Sequence, residues 1–176
     1  MSNKWAIDPM HSEIEFKVKH LMISTLTGKF TGFSGEVEND AADFSDAKIN
    51  FSADVTTINT GNEQRDGHLQ SEDFFNTAAF PTLTFTSTGM TKTADDTFVL
   101  AGDLNMHGVS KNIELNLVFN GLMTDPYGNE KAGFELSGKI SRKDFDLTWS
   151  ATTEAGGIVV SDEVKLLCNV QIAKIA

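Results

Sequence analysis

Apolar residues recur at every second position along most of this chain, and that period constrains the fold more than any other feature. Alternate side chains of an extended strand point to opposite faces, so the pattern writes an inside and an outside into each segment. In residues 12–19 the apolar positions are Ile14, Phe16 and Val18, with Glu13, Glu15, Lys17 and Lys19 between them. Residues 26–38 read as a second strand that turns a corner, because Gly28, Gly32 and Gly35 interrupt it and Phe30 and Phe33 break the even spacing. Ile49, Phe51, Ala53 and Val55 make a third, after a loop at 41–46. Leu83 and Phe85, flanked by threonines, begin a fourth. Phe98, Leu100, Leu104 and Met106 lead through a His107-Gly108 turn into Ile113, Leu115, Leu117 and Phe119, a hairpin. The stretch Asp125-Pro126-Tyr127-Gly128-Asn129 has turn chemistry and folds the chain back into Phe134, Leu136 and Ile140. A loop over 142–157 precedes the last set, Val164, Leu166, Cys168, Val170 and Ile172.

Only residues 60–77, TGNEQRDGHLQSEDFFNT, carry a helical start signal. Thr60 and Glu63 have the spacing of a capping box, a second start follows at Ser71, and Phe80-Pro81 forces the chain extended again. The expectation is one helical plug in an all-β chain. About eight strands joined by short turns, with no βαβ rhythm, imply an antiparallel meander. Between sandwich and barrel the long strands with glycine corners favour a closed eight-stranded barrel, since closure removes the edges. At 176 residues and 19.2 kDa it reads as a single domain over 1–176. Gly102 and Gly138 fall in the inward register, where they either ease curvature or leave room inside.

Composition narrows the chemistry. A net charge of −11 and a pI near 4.6 argue against nucleic acid and anionic membrane surfaces as partners. One cysteine excludes an internal disulfide, and Cys168 reads as a small buried hydrophobe in its strand. His11, His20, His68 and His107 match no metal-ligand spacing, and no nucleophile elbow or phosphate-cradling glycine loop is present. The start lacks a leader pattern, which points to a cytoplasmic protein, or to a periplasmic one expressed as its mature part; no apolar run reaches the roughly 20 residues of a membrane span.

Two features point inward. Thirteen phenylalanines against two tryptophans and one tyrosine make a greasy interior without polar handles. An eight-stranded barrel is at the size where the interior either fills with side chains or holds one small ligand. Strands of about ten residues at about 3.3 Å each span roughly 33 Å, enough for a long hydrocarbon chain. A ligand of about 40 heavy atoms at roughly −0.3 kcal/mol per atom would reach about −12 kcal/mol. The register makes Phe16, Val18, Phe30, Phe33, Phe51, Phe85, Leu104, Phe119 and Phe134 the lining. The two arginines, Arg65 and Arg142, stand against twelve lysines, a sparing use that suits the bidentate fork of guanidinium. Either they bind acids such as Asp66, Asp144 or Asp162 and pin the helix and loop to the rim, or one of them, with His68, meets the polar end of a ligand. An enzyme using His68, Asp66 and Arg65 is the rival reading, and an interaction module with a solid core is a third.

An ordered set of motifs resembles the YceI-like family of polyisoprenoid-binding proteins with a lipocalin-like fold. It runs W-x-I-D-x-x-H-S from Trp5, K-H-L from Lys19, G-x-F-x-x-F-x-G from Gly28, T-G-N-x-x-R-D-x-H-L-x-S-x-D-F-F from Thr60, F-P-x-L-x-F-x-S-T from Phe80, H-G-V from His107, R-x-D-F from Arg142 and S-D-E-V from Ser161. The resemblance implies an extended antiparallel barrel. It implies non-enzymatic binding, storage or transport of a long isoprenoid, fatty-acyl or quinone-type amphiphile, with no cofactor and no catalytic set to carry over. Links to stress and lipid carriage come with the family, and a homodimer is the default assembly.

Overall fold

A computed structural model describes residues 2–20, 23–147 and 161–175. Its strands are β1 (Asn3–Ile7), β2 (Glu13–His20), β3 (Ser24–Phe30), β4 (Phe33–Asn39), β5 (Lys48–Asp54) and β6 (Ile58–Asn59), then, after helix α1 (Glu63–Gln70), β7 (Thr82–Ala94), β8 (Thr97–Met106), β9 (Val109–Thr124), β10 (Glu130–Ser141) and β11 (Glu163–Lys174). Three pairs of short strands are single tracks interrupted midway. β1 and β2 both pair antiparallel with β11, Trp5 opposite Lys174 and Phe16 opposite Leu166. Between them Asp8 caps a 3-10 turn at Pro9–His11, accepting from Met10 N. β3 and β4 break at residues 31–32, where Gly32 N donates to Thr57 Oγ1, and β5 passes through a 3-10 turn at Val55–Thr57 into β6. Eight tracks therefore run antiparallel in chain order, and the first closes on the last. This is the eight-stranded barrel that the alternation predicts.

The ends of several elements differ from the sequence reading. The first track starts at Asn3, earlier than the alternation shows, because β1 is five residues long and Pro9 cuts its pattern short. The helix is also shorter than 60–77. Asn62, not Thr60, is the N-cap, its side chain accepting from Arg65 N at 3.0 Å. The capping box does not form, since Thr60 donates instead from both N and Oγ1 to Asp66 Oδ1 at 2.9 and 2.5 Å. Ser71 ends the helix rather than starting another, with its hydroxyl on His68 O at 2.6 Å. None of the residues of α1 is buried, so it lies across one end of the barrel instead of plugging its inside. Of the loop expected over 142–157, residues 142–145 form a 3-10 turn and 148–157 lie outside the described residues.

The loop at 41–46 hides a core residue. Phe44 adopts φ 65°, a conformation that favours glycine, and turns its ring inward until 1% of it is exposed. It meets Trp5 at 5.3 Å, Phe119 at 5.3 Å and Phe134 at 5.1 Å, and the last two stack at 5.3 Å. Trp5 Nε1 donates to the buried Asn39 Oδ1 at 2.8 Å, which satisfies its polar edge. These rings floor the end of the barrel where β1 begins, β11 ends and the 125–129 turn lies.

The inward glycines have a specific use. A Cβ at Gly28 would collide with the ring of Phe16, one at Gly102 with the ring of Phe85, and one at Gly138 would stand 2.6 Å from Leu115 Cδ2. Each glycine is thus the seat of a large neighbouring side chain that lies down along the wall. Adding a methyl group at Gly102 drives Phe85 toward the axis. We expect Gly102→Ala to cost about 1–3 kcal/mol in urea denaturation, and to cost less when Phe85 is already leucine. Equal costs in both backgrounds would show that the ring is not what the methyl group meets.

Candidate functional site

The laid-down rings leave the axis open. A cavity of about 390 Å³ runs inside the barrel, walled almost wholly by aliphatic and aromatic side chains, so the interior is not solid. Of the residues assigned to the lining from register, Phe16, Val18, Phe30, Phe51, Phe85, Leu104 and Phe134 face it. Phe33 and Phe119 do not. Phe33 sits where β3 gives way to β4 and packs its ring on Phe51 at 6.1 Å, while Phe119 is taken up in the floor by Phe44 and Phe134. Register alone missed Phe44, which lines the cavity from its loop, and Phe74, Phe75 and Leu69, which reach it from α1 and the turn that follows. The signal for the last three was their apolarity in a polar segment. For Phe44 no local signal existed.

Arg65, His68 and Arg142 all border the cavity, at the end opposite the floor. Arg142 is 4% exposed, donating from Nε to Ser161 O at 3.0 Å and from Nη1 to Leu147 O at 2.7 Å, with Nη2 3.7 Å from Asp162. Burial lowers the pKa of its guanidinium and the Asp162 carboxylate opposes that shift. Arg65 is held differently. No carboxylate of the described residues pairs with it; Nε donates to Thr60 Oγ1 at 2.8 Å and Nη2 to Thr60 O at 2.7 Å. The pinning acid expected from the sequence is therefore present for Arg142 and replaced by a threonine for Arg65. His68 Nε2 lies 2.8 Å from Asp73 Oδ2, and its ring meets Phe74 edge-on at 5.1 Å.

Arg65, Asp66 and His68 do not assemble into one acid–base group. Arg65 and Asp66 both engage Thr60, whereas His68 Nε2 turns to Asp73, so the histidine is not joined to the other two by these bonds. Two of the other three histidines are occupied as well, His11 Nδ1 with Asp8 at 2.8 Å and His107 Nδ1 with Phe145 O at 2.9 Å. Among the described residues no three His, Cys, Asp or Glu side chains gather as a metal site would need, and no helix is long and apolar enough to cross a membrane. Cys168 lines the cavity from β11, and burial pushes its thiol up to about 11.

The geometry defines a closed up-and-down barrel that encloses an apolar cavity, with two guanidinium groups and an imidazole bordering one end. The chain belongs to the YceI-like family, whose domain model matches residues 5–172. It is 39% identical over 165 residues to the protein YceI of Escherichia coli (strain UMN026), covering 92% of this chain and 81% of that one. The crystal structure of the Campylobacter jejuni YCEI protein superposes with a TM-score of 0.76 at 34% identity, covering 90% of each chain. A polyisoprenoid binding domain from Saccharophagus degradans, implicated in plant cell wall breakdown, shares the fold with a TM-score of 0.73 at 19% identity, covering 97% of this chain and 98% of that one.

Two outcomes follow from the site. Arg142→Met strands the buried carbonyl of Leu147 and the part-buried one of Ser161, and at about 1–3 kcal/mol for each unsatisfied group it should lower stability by about 2–6 kcal/mol in chemical denaturation. Because its folded pKa is near 11, Cys168 holds about one thiolate in a thousand at pH 8. Alkylation of the native protein by iodoacetamide should be correspondingly slow there and should rise steeply only above pH 10, whereas the urea-unfolded chain reacts at once.

Proposed function

We propose that this protein is a non-enzymatic carrier or reservoir for a long-chain isoprenoid or similar amphiphilic lipid, held inside the barrel. The observation that carries the reading is the cavity itself: about 390 Å³ of apolar space, floored by aromatic rings at one end and bordered by Arg65, His68 and Arg142 at the other. That volume falls in the range of about 300–1,000 Å³ typical of small-molecule sites. One-ended polarity suits an amphiphile, its tail toward the floor and its head toward the guanidinium and imidazole groups. Arg65 is the residue best placed to meet a head group, because Thr60 holds it rigidly from two of its nitrogens and leaves Nη1 for an acceptor oxygen. The polyisoprenoid-binding description of the Saccharophagus degradans domain agrees with this reading.

The test is direct. Protein purified from its host and extracted with organic solvent should release a long-chain lipid on mass spectrometry. The delipidated protein should take up about one C20 prenol or C20 prenylquinone per chain in titration. An empty extract from a protein that also refuses both probes would sink the proposal. Gly102→Ala should take up less than wild type, since its displaced Phe85 ring occupies the space that the tail needs.

A further inference from the structure

The barrel ladder is broken at the end away from the floor, in two places. Between β9 and β10 pairing stops at Asn116 opposite Ser137, and the split above it is stoppered by the 3-10 turn Arg142–Phe145, whose Phe145 is 1% exposed. The second break has a different cover. β6 pairs only with β3, at Ile58 and Asn59, so residues 24–28 of β3 pair with β2 alone. The last bond joining the third track, β5 and β6, to β7 is Val55 N to Pro81 O at 2.8 Å. What spans the opening is α1 with the turns after it, a segment whose helix buries none of its residues.

That segment is built as a unit. Phe75 N donates to Leu69 O, Asn76 N to Ser71 O, Thr77 N to Gln70 O and Phe80 N to Asn76 O, all at 2.9–3.0 Å, so its turns are tied back onto the helix. Its apolar underside, Leu69, Phe74 and Phe75, forms part of the cavity wall. At its start Gly61 has φ +85° with open space around it. Across that glycine lies a clasp: Thr60 donates twice to Asp66 and accepts from Arg65 at Oγ1 and at its carbonyl. Swinging the helix about Gly61 requires these bonds to break while the bonds within the segment survive.

We propose that α1 and its following turns are a lid, hinged at Gly61 and at residues 78–81 and latched by Thr60, and that the lipid enters beneath it, between the free edge of β3 and Pro81. This rests on the lipid reading above, and the experiment separates the two. Geranylgeraniol carrying an NBD fluorophore is offered to the delipidated protein in phosphatidylcholine vesicles, and uptake is followed by stopped flow. Thr60→Val, which removes the hydroxyl from the latch, should take up the probe about tenfold faster than wild type. The Thr60→Cys/Asp66→Cys variant, oxidised to a disulfide verified by mass, should take it up at least about tenfold more slowly and recover on reduction. If the disulfide does not form, Thr60→Val and hydrogen exchange decide. Exchange of the α1 amides should be faster than that of the β8 and β9 amides and faster again in Thr60→Val. Uptake at one rate in all variants would overturn the lid while leaving the lipid reading intact. Uptake by none would overturn the lipid reading, and α1 amides as protected as those of β8 and β9 would then overturn the lid as well.

Discussion

Everything in this molecule depends on one ladder, the pairing of β11 with both β1 and β2. The two ends of the chain meet there, Trp5 opposite Lys174 and Phe16 opposite Leu166. Without that pairing the eight tracks would form an open, strongly twisted sheet with one apolar face exposed to water and a free edge on each side. With it, each inward side chain faces another across an interior and the backbone groups of the last strand are satisfied. Closure is cheap in sequence because it needs only that the first and last tracks alternate in compatible register. It is demanding in geometry because the first track must bend at Pro9 to follow β11 along its length.

Closure also creates the problem that the cavity solves. Eight strands enclose a width that side chains can fill, and this chain has thirteen phenylalanines with which to fill it. The interior stays hollow because of where those rings lie. Phe16 and Phe85 are flattened over Gly28 and Gly102, and Leu115 over Gly138, so bulk that would meet at the axis is laid along the wall instead. At the floor the opposite choice is made: Phe44, Phe119 and Phe134 converge with Trp5 and close the tube. An apolar hollow forgoes the dispersion contacts that a packed core would have, so the native state gains whatever a hydrocarbon guest restores.

How much of this can be read from residues alone follows from the range of the interactions. Period-2 alternation is local, and it locates all eight tracks, the His107-Gly108 hairpin and the 125–129 turn. Which inward residue touches the cavity is not local. Phe33 and Phe119 have the same parity as their lining neighbours and are withdrawn by partners distant in sequence, Phe51 and the Phe44 ring. Phe44 itself sits in a stretch of small and acidic residues, and only the assembled floor shows why an aromatic occupies a left-handed position there. The inward glycines at 102 and 138 were legible as missing side chains, but the choice between curvature and space needed the identity of the residue lying over each one. The answer is neither alone: the glycine yields its place to a neighbour, and the space appears at the axis.

The helical segment shows the same limit from the polar side. Thr60, Asn62 and Asp66 each have side chains able to cap, and the spacing T-x-x-E favours Thr60. Asn62 takes the cap because Thr60 is already committed to Asp66 and Arg65. That commitment gives Arg65 its character. Arg65 is steered by a hydroxyl and a carbonyl at the edge of the apolar space, with the Asp66 carboxylate on the other side of that hydroxyl. Arg142 is buried and matched to Asp162 and two carbonyls, which ties the 3-10 turn at 142–145 to Leu147 and to residues 161–162. The two arginines that look equivalent in the sequence are thus divided by their partners, one tied to a carboxylate and two carbonyls and the other to a single threonine at the border of the cavity.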